Sequence, residues 1–275
     1  MNIFITGASS GIGNALAHEY AKRNRMTSVN NSSASRMVIG LAARRIKALE
    51  LLAAELQNQY NITCAIYPLD VRNATALEAA AQDFMQQHGT PDIVIANAGV
   101  SRGTLTEDKD DIKAIQAIFD INVMGMMHTF QPFIAAMKQA AAKGEVAQLV
   151  GVASVAGIRV IPGSGAYSAS KAAVISYCES LRTEMQHFNI AVSTIAPGYI
   201  RTPMTELNQY KMPFLMDADV FAYKFANAVA AKRRFCVIPW QMGIIARLMR
   251  LIPPFLWDFA MKKAPHKKRM NWDWI

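Results

Sequence analysis

The feature that most constrains this chain is a short apolar run that breaks on glycines and resumes as a helix. Asn2 to Thr6 reads as a buried strand, Gly7-Ala8-Ser9-Ser10-Gly11-Ile12-Gly13 as a turn, and Asn14 to Arg23 has helical periodicity. Such a turn offers backbone N–H groups and the positive end of a helix dipole to a phosphate. The glycine spacing differs from G-x-G-x-x-G, and glycines can also serve close packing alone. At the head of a chain in which strands and helices alternate, Gly7, Ser9, Ser10, Gly11, Ile12 and Gly13 are read as a phosphate cradle.

The alternation continues to the end. Strands are expected at 37–42, 62–69, 92–96, 149–153, 190–196 and 235–238, and helices over about 43–59, 74–87, 107–138, 165–187 and 217–231. This predicts an α/β fold with a doubly wound, mostly parallel sheet in one domain, residues 1–239, followed by a C-terminal helical extension, 240–275. With 275 residues, 52% hydrophobic and 18% charged, the chain can bury a large core. Cys64, Cys178 and Cys236 are far apart and have no histidine cluster beside them. Neither a disulfide framework nor a metal site is expected, and a reducing, cytoplasmic compartment is. Strand residues follow Met1 directly, leaving no room for a signal peptide. The polar run Ser28–Ser35 reads as a surface insertion at the N-terminal edge of the sheet.

Ligands of such sheets bind at the carboxyl edge, so the residues after each strand matter most. After the second strand stand Arg44 and Arg45, with no acid. Two arginines in a first helical turn oppose the dipole; they are either solvated there or matched to a phosphate. Asp70 and Val71 follow the third strand, where the carboxylate could accept from an adenine amine or cap a helix. Asn97-Ala98-Gly99 follow the fourth and let a ligand approach the backbone. Pro197, Gly198, Ile200 and Thr202 follow the sixth, where a rigid turn could offer a backbone N–H and a hydroxyl to an amide. Asn122 lies among apolar residues, to be satisfied by a backbone bond or by a water leading towards Lys171.

Ser154 closes the fifth strand, and Tyr167 and Lys171 lie four residues apart, on one helix face. A free phenol titrates near pH ~10 and is a poor acid–base catalyst at neutral pH. An ammonium held close favours the phenolate, and a serine hydroxyl facing it could align a substrate oxygen. Most Tyr/Lys pairs at this spacing are only a solvated helix face.

Together, Thr6 to Gly13, Asn97-Ala98-Gly99, Asn122, Ser154, Tyr167-Ser168-Ala169-Ser170-Lys171 and Pro197-Gly198 resemble the short-chain dehydrogenase/reductase family. The order and spacing match over roughly residues 1–240. The resemblance implies a Rossmann-type NAD(P)-dependent oxidoreductase with Asn122, Ser154, Tyr167 and Lys171 as its catalytic tetrad. Tyr167 would pass the proton, Ser154 orient the carbonyl, Lys171 lower the tyrosine pKa and hold the nicotinamide ribose, and Asn122 fix a relay water. The arginines favour NADP(H) over NAD. Residues 107–138 and 165–188 are similar to the surface with which these proteins form homodimers or homotetramers. The competing class is a cofactor-binding regulatory protein that keeps the fold without turnover.

The segment Met204–Met216, with Leu207, Tyr210, Met212, Phe214 and Leu215, takes the place of the family's substrate lid. Its apolar side chains suit a lipophilic ketone or secondary alcohol, or else ordinary packing. The extension carries seven basic and two acidic residues, a net +5 out of +9 for the chain. That concentration excludes a general nucleic-acid surface. With Trp257, Trp272, Trp274 and Lys262, Lys263, Lys267, Lys268 and Arg269, it is expected to form amphipathic helices broken at Pro253-Pro254. They would rest peripherally on a membrane, or else pack on the domain or a second subunit. Its end loosely resembles membrane-associated, steroid- and lipid-handling members of the family.

Overall fold

The computed structural model describes residues 1–30, 37–160, 162–206, 208 and 211–262, with 27–30 as backbone only. Seven parallel strands form one sheet in the order β3-β2-β1-β4-β5-β6-β7. They are β1 (Asn2–Thr6), β2 (Val38–Ala43), β3 (Thr63–Pro68), β4 (Ile93–Ala96), β5 (Gln148–Val152), β6 (Ala191–Pro197) and β7 (Phe235–Ile238). Helices α1 (Gly11–Asn30), α2 (Ile46–Tyr60) and α8 (Ala218–Ala230) share one apolar layer. Helices α3 (Ala74–His88), α5 (Gly125–Ala142) and α6 (Gly165–Gln186) share the other. The remaining helices are α4 (Asp111–Phe119), α7 (Pro203–Glu206), α9 (Trp240–Leu251) and α10 (Pro254–Met261).

Both faces of the sheet are covered, so its strands are mainly apolar on both sides rather than alternating with polar residues, and the polar exceptions Thr6, Gln148, Ser193 and Thr194 are buried. Along β1, Ile3 and Ile5 point into the α1/α2/α8 layer and Phe4 into the other. Phe4 meets Phe133 at 4.9 Å between ring centroids and Phe84 edge-on at 5.6 Å. The strand order reverses between β1 and β4, which opens a crevice at their carboxyl ends.

Three elements differ from the sequence reading. Helix α1 continues past Arg23 through Asn30, because tertiary contacts override weak local propensity. Arg23 bonds Glu19 and reaches the Tyr223 carbonyl and Asn227 on α8, and Arg25 reaches the Gln59 carbonyl on α2. Ser28 to Asn30 of the expected insertion are therefore helical, while 31–35 lie outside the described residues. Helix α2 begins only at Ile46, which leaves Arg44 and Arg45 in the turn before it. The expected helix over 107–138 is α4 and α5 joined through a π-turn at Asp120–Met124, with Asn122 at its centre. Such one-turn widenings re-aim a side chain.

A 3₁₀ turn at Val155–Gly157 packs on α6. A Cβ at Gly157 would come within 2.6 Å of the Lys171 backbone carbon, whereas one at Gly165 would meet nothing within 4 Å. Gly157→Ala is therefore expected to lower stability by about 1–3 kcal/mol. Gly165→Ala should leave it unchanged or raise it by up to about 1 kcal/mol. Urea unfolding of the two variants checks the contrast.

Candidate active site

The crevice is a cleft of about 320 Å³ at the carboxyl ends of β1, β2, β4, β5 and β6. On its β1 side the turn is held open by glycine geometry. Gly7 takes φ +70° and donates to the Ala42 carbonyl at 2.8 Å. A Cβ at Gly13 would fall 2.3 Å from the Gly7 carbonyl oxygen, so the start of α1 lies directly against the turn. Asn97 pins it from across the crevice, its Nδ2 donating to the carbonyls of Thr6 (3.0 Å) and Gly7 (3.3 Å). Thr6 Oγ1 in turn accepts from the Asn97 N–H at 3.2 Å.

The β2 end is cationic. Arg45 Nη2 donates to Ser10 Oγ at 2.6 Å and to Ser9 Oγ at 3.1 Å, latching the glycine turn. Arg44 is half exposed, with Nη1 3.9 Å from Asp70 Oδ2. Asp70 does not cap α3. Asn73 does that, accepting from the Ala76 N–H at 3.0 Å, while Asp70 takes Arg72 through Nη2 at 2.8 Å and Nε at 3.1 Å. Burial pushes the Asp70 carboxyl up, but the Arg72 bonds and the charges of Arg72 and Arg44 together hold it below the usual range.

The other half is built on β5 and α6. Ser154 sits at the head of the 3₁₀ turn, its Oγ accepting from the Ala156 N–H at 3.1 Å. Tyr167 lies in the first turn of α6 and Lys171 one turn on. The Lys171 ammonium is buried and donates to the Val152 carbonyl at 2.9 Å. Burial pulls its pKa down to about 8, against a small opposing pull from Cys178. Tyr167 keeps some exposure at the cleft, yet the protein crowded round its ring raises the phenol, and the Ser154 hydrogen bond draws it partly back. Ser154 is the partner that draws the phenol down, while the Lys171 ammonium one turn on donates to Val152.

Asn122 makes backbone bonds, Oδ1 accepting from the Val100 N–H at 2.8 Å and Nδ2 donating to its carbonyl at 3.0 Å. Its Nδ2 also donates to Ser170 Oγ at 2.9 Å, and Ser170 in turn donates to the Tyr167 carbonyl at 2.7 Å. A Cβ at Gly99 would sit 3.1 Å from Asn122 Oδ1 and 3.3 Å from Lys171 Nζ, so this glycine leaves room for both.

Gly7, Ser9, Ser10, Gly11, Ile12, Arg44, Asp70, Val71, Asn97, Ala98, Gly99, Ser154, Tyr167, Lys171, Pro197, Gly198, Ile200 and Thr202 all line this one cleft. Gly13 and Asn122 stand behind it. In the Pro197-Gly198 turn Gly198 donates its N–H to the Ile238 carbonyl at 2.8 Å, and the Thr202 hydroxyl lies 3.3 Å from Thr205 Oγ1. Of the expected lid, Met204 lines the cleft, while Leu207 and Tyr210 lie outside the described residues. Arg72 and Ser170 join the site without having been expected there. The place of Ser170, three after Tyr167 on a helix, was the available signal for it.

Comparison with known proteins agrees with this geometry. The short chain dehydrogenase family model matches residues 1–212. An uncharacterized oxidoreductase of Myxococcus xanthus is 31% identical over 259 residues, 94% of this chain and 95% of that protein. The 11-beta-hydroxysteroid dehydrogenase-like 2 protein of Arabidopsis thaliana is 32% identical over 203 residues, 74% of this chain and 60% of its own. Among solved structures, a Burkholderia phymatum short chain dehydrogenase/reductase in complex with NAD has a TM-score of 0.75 at 23% identity, covering 98% of both chains. A Sphingobium yanoikuyae short-chain dehydrogenase in complex with NADPH has 0.72 at 23%, covering 92% of this chain and 96% of its own. A cleft with a glycine cradle at one end and Ser154, Tyr167 and Lys171 at the other, on a chain matched by that model, makes this protein a member of the short-chain dehydrogenase/reductase family, an oxidoreductase built to use a nicotinamide cofactor.

Proposed function

We propose that the protein is an NADP(H)-dependent oxidoreductase that interconverts a lipophilic ketone and its secondary alcohol. The observation that carries the reading is the single cleft that joins the glycine cradle and Arg44/Arg45 to Ser154, Tyr167 and Lys171. The cradle suits a pyrophosphate, since the turn runs into the N-terminus of α1 at Gly11 and its residues line the cleft. A reduced nicotinamide bound in this cleft supplies a hydride. The chain's own part is to hold and protonate the oxygen. Ser154 positions the carbonyl oxygen, and Tyr167 gives its proton to the alkoxide as charge develops there. The Lys171 ammonium, held by Val152, holds the cofactor's ribose and favours the phenolate left behind. Asn122 keeps α4 and α5 in register with α6 through Ser170. Met204 in the cleft wall, with Met212, Phe214 and Leu215 in the lid, supports an apolar substrate. Exposed Ile112 and Met124, in α4 and the π-turn, support pairing of subunits through this side.

Tyr167→Phe is expected to keep NADPH binding and to lose turnover by roughly two to four orders of magnitude, the scale of general acid–base catalysis. Near wild-type turnover would remove Tyr167 from the role and favour the regulatory, non-catalytic reading.

The two arginines should separate in titrations followed by cofactor fluorescence. Arg44→Ala should raise the Kd for NADPH by about one to two orders of magnitude and leave NADH unchanged. Arg45→Ala, which frees Ser9 and Ser10, should weaken both cofactors alike. A wild-type preference for NADH contradicts the NADP(H) assignment.

The pH profile has a defined sign. Burial brings the Lys171 pKa down to about 8, so the ammonium is present below that pH and lost above it, whereas burial raises the Tyr167 phenol. The kcat/KM for ketone reduction, which reports the free enzyme, should therefore fall as pH rises through about 8. A flat profile across that range counts against Lys171.

A further inference from the structure

We propose that the outward sides of α9 and α10 form a docking surface for an anionic phospholipid membrane. Helix α9 buries Met242, Gly243 and Ala246 and turns Trp240, Ile244, Leu248 and Leu251 to solvent. The spacing of four, four and three places those four on one face. Helix α10, Pro-Phe-Leu-Trp-Asp-Phe-Ala-Met, has no buried residue at all. Leu251, Phe255 and Phe259 are 78%, 70% and 82% exposed, where a free aromatic or leucine side chain would be expected to find cover. Neither helix, at 12 and 8 residues, could cross a bilayer, and no helix among the described residues is long and apolar enough to do so.

Two occupants could cover this surface, a second copy of the chain or a lipid interface, and charge decides between them. The exposed residues Arg247, Arg250 and Lys262 belong to the same two helices and their end. Against these three, Asp258 is the one acidic residue among the described residues from 240 onward. A two-fold contact sets a patch against itself and would bring that like charge together. A surface of acidic head groups offers phosphate to the cations and an apolar boundary to the exposed Trp240, Leu248, Leu251, Phe255 and Phe259.

The surface is anchored to the catalytic half. Arg159 lies over the Trp257 ring at 4.2 Å and donates to the Ile252 carbonyl at 3.4 Å, and Arg250 donates to the Ile158 carbonyl at 3.5 Å. These contacts fix α9 and α10 to the loop that follows Ser154. Docking stands without any assumption about substrate; the delivery of an apolar ketone from the bilayer to the cleft rests on the proposed function.

The test is sedimentation of the full chain with vesicles of phosphatidylcholine alone or mixed with phosphatidylglycerol, without turnover. The expected result is binding that requires phosphatidylglycerol and weakens when salt is raised from about 0.1 to 0.5 M. Leu251→Glu with Phe255→Glu should cut binding at least about tenfold, the scale of one buried apolar side chain, with thermal stability and NADPH affinity unchanged. No binding to either vesicle overturns the proposal, as does equal binding by wild type and variant. A concentration-dependent dimer that the variant abolishes overturns it in favour of a second copy. In none of these cases is the reading of the cleft affected.

Discussion

One buried ammonium sets the geometry of the catalytic end. Lys171 carries a positive charge at a position that is almost fully buried, and a charge there must be held by an oriented acceptor. The Val152 carbonyl at the last residue of β5 provides it. That bond ties α6 to the carboxyl edge of the sheet, which places Tyr167, one turn earlier, beside Ser154 at the end of the same strand. Two glycines make the arrangement possible by leaving space: Gly99 in front of the amine and Gly157 behind its backbone. The penalty on the charge is also what brings the amine into a range where proton state can change under ordinary conditions.

The opposite end of the cleft works by cation density rather than burial. Arg44, Arg45 and Arg72 converge where β2 and β3 end, and Asp70 neutralises only part of them. Arg45 spends its donors on Ser9 and Ser10, stiffening the cradle, while Arg44 remains half exposed. The two ends thus select different parts of one extended ligand, a phosphate-bearing end and a reacting end, across a sheet whose strand order reverses between them.

Much of this was legible in the sequence because the signals are local. Strand, glycine turn and helix follow one another within residues 2–23, and Ser154, Tyr167 and Lys171 lie within eighteen residues. The strands could be placed because both faces of a parallel sheet are buried, which makes each a continuous apolar run. What was not legible depends on contacts between distant segments. Helix α1 outlasts its own propensity because α2 and α8 grip Arg25 and Arg23. The π-turn that presents Asn122 leaves no mark in periodicity, and the cap of α3 passed from Asp70 to Asn73 because Arg72 competes for the acid. The bond from the Gly198 N–H to the Ile238 carbonyl depends on the pairing of β6 with β7, forty residues on. The breaks at Pro253-Pro254 were visible, but the clasp of Arg159 on Trp257 was not.

Hydride transfer at this cleft is tested most directly by isotope transfer. Wild-type protein would be incubated with NADPH deuterated at the transferable position of the nicotinamide and with ketones graded in chain length and ring number. The account predicts deuterium at the carbinol carbon of the alcohol, with yields rising as the ketone becomes larger and less polar. Protein that binds NADPH and delivers label to no ketone in the series would contradict it.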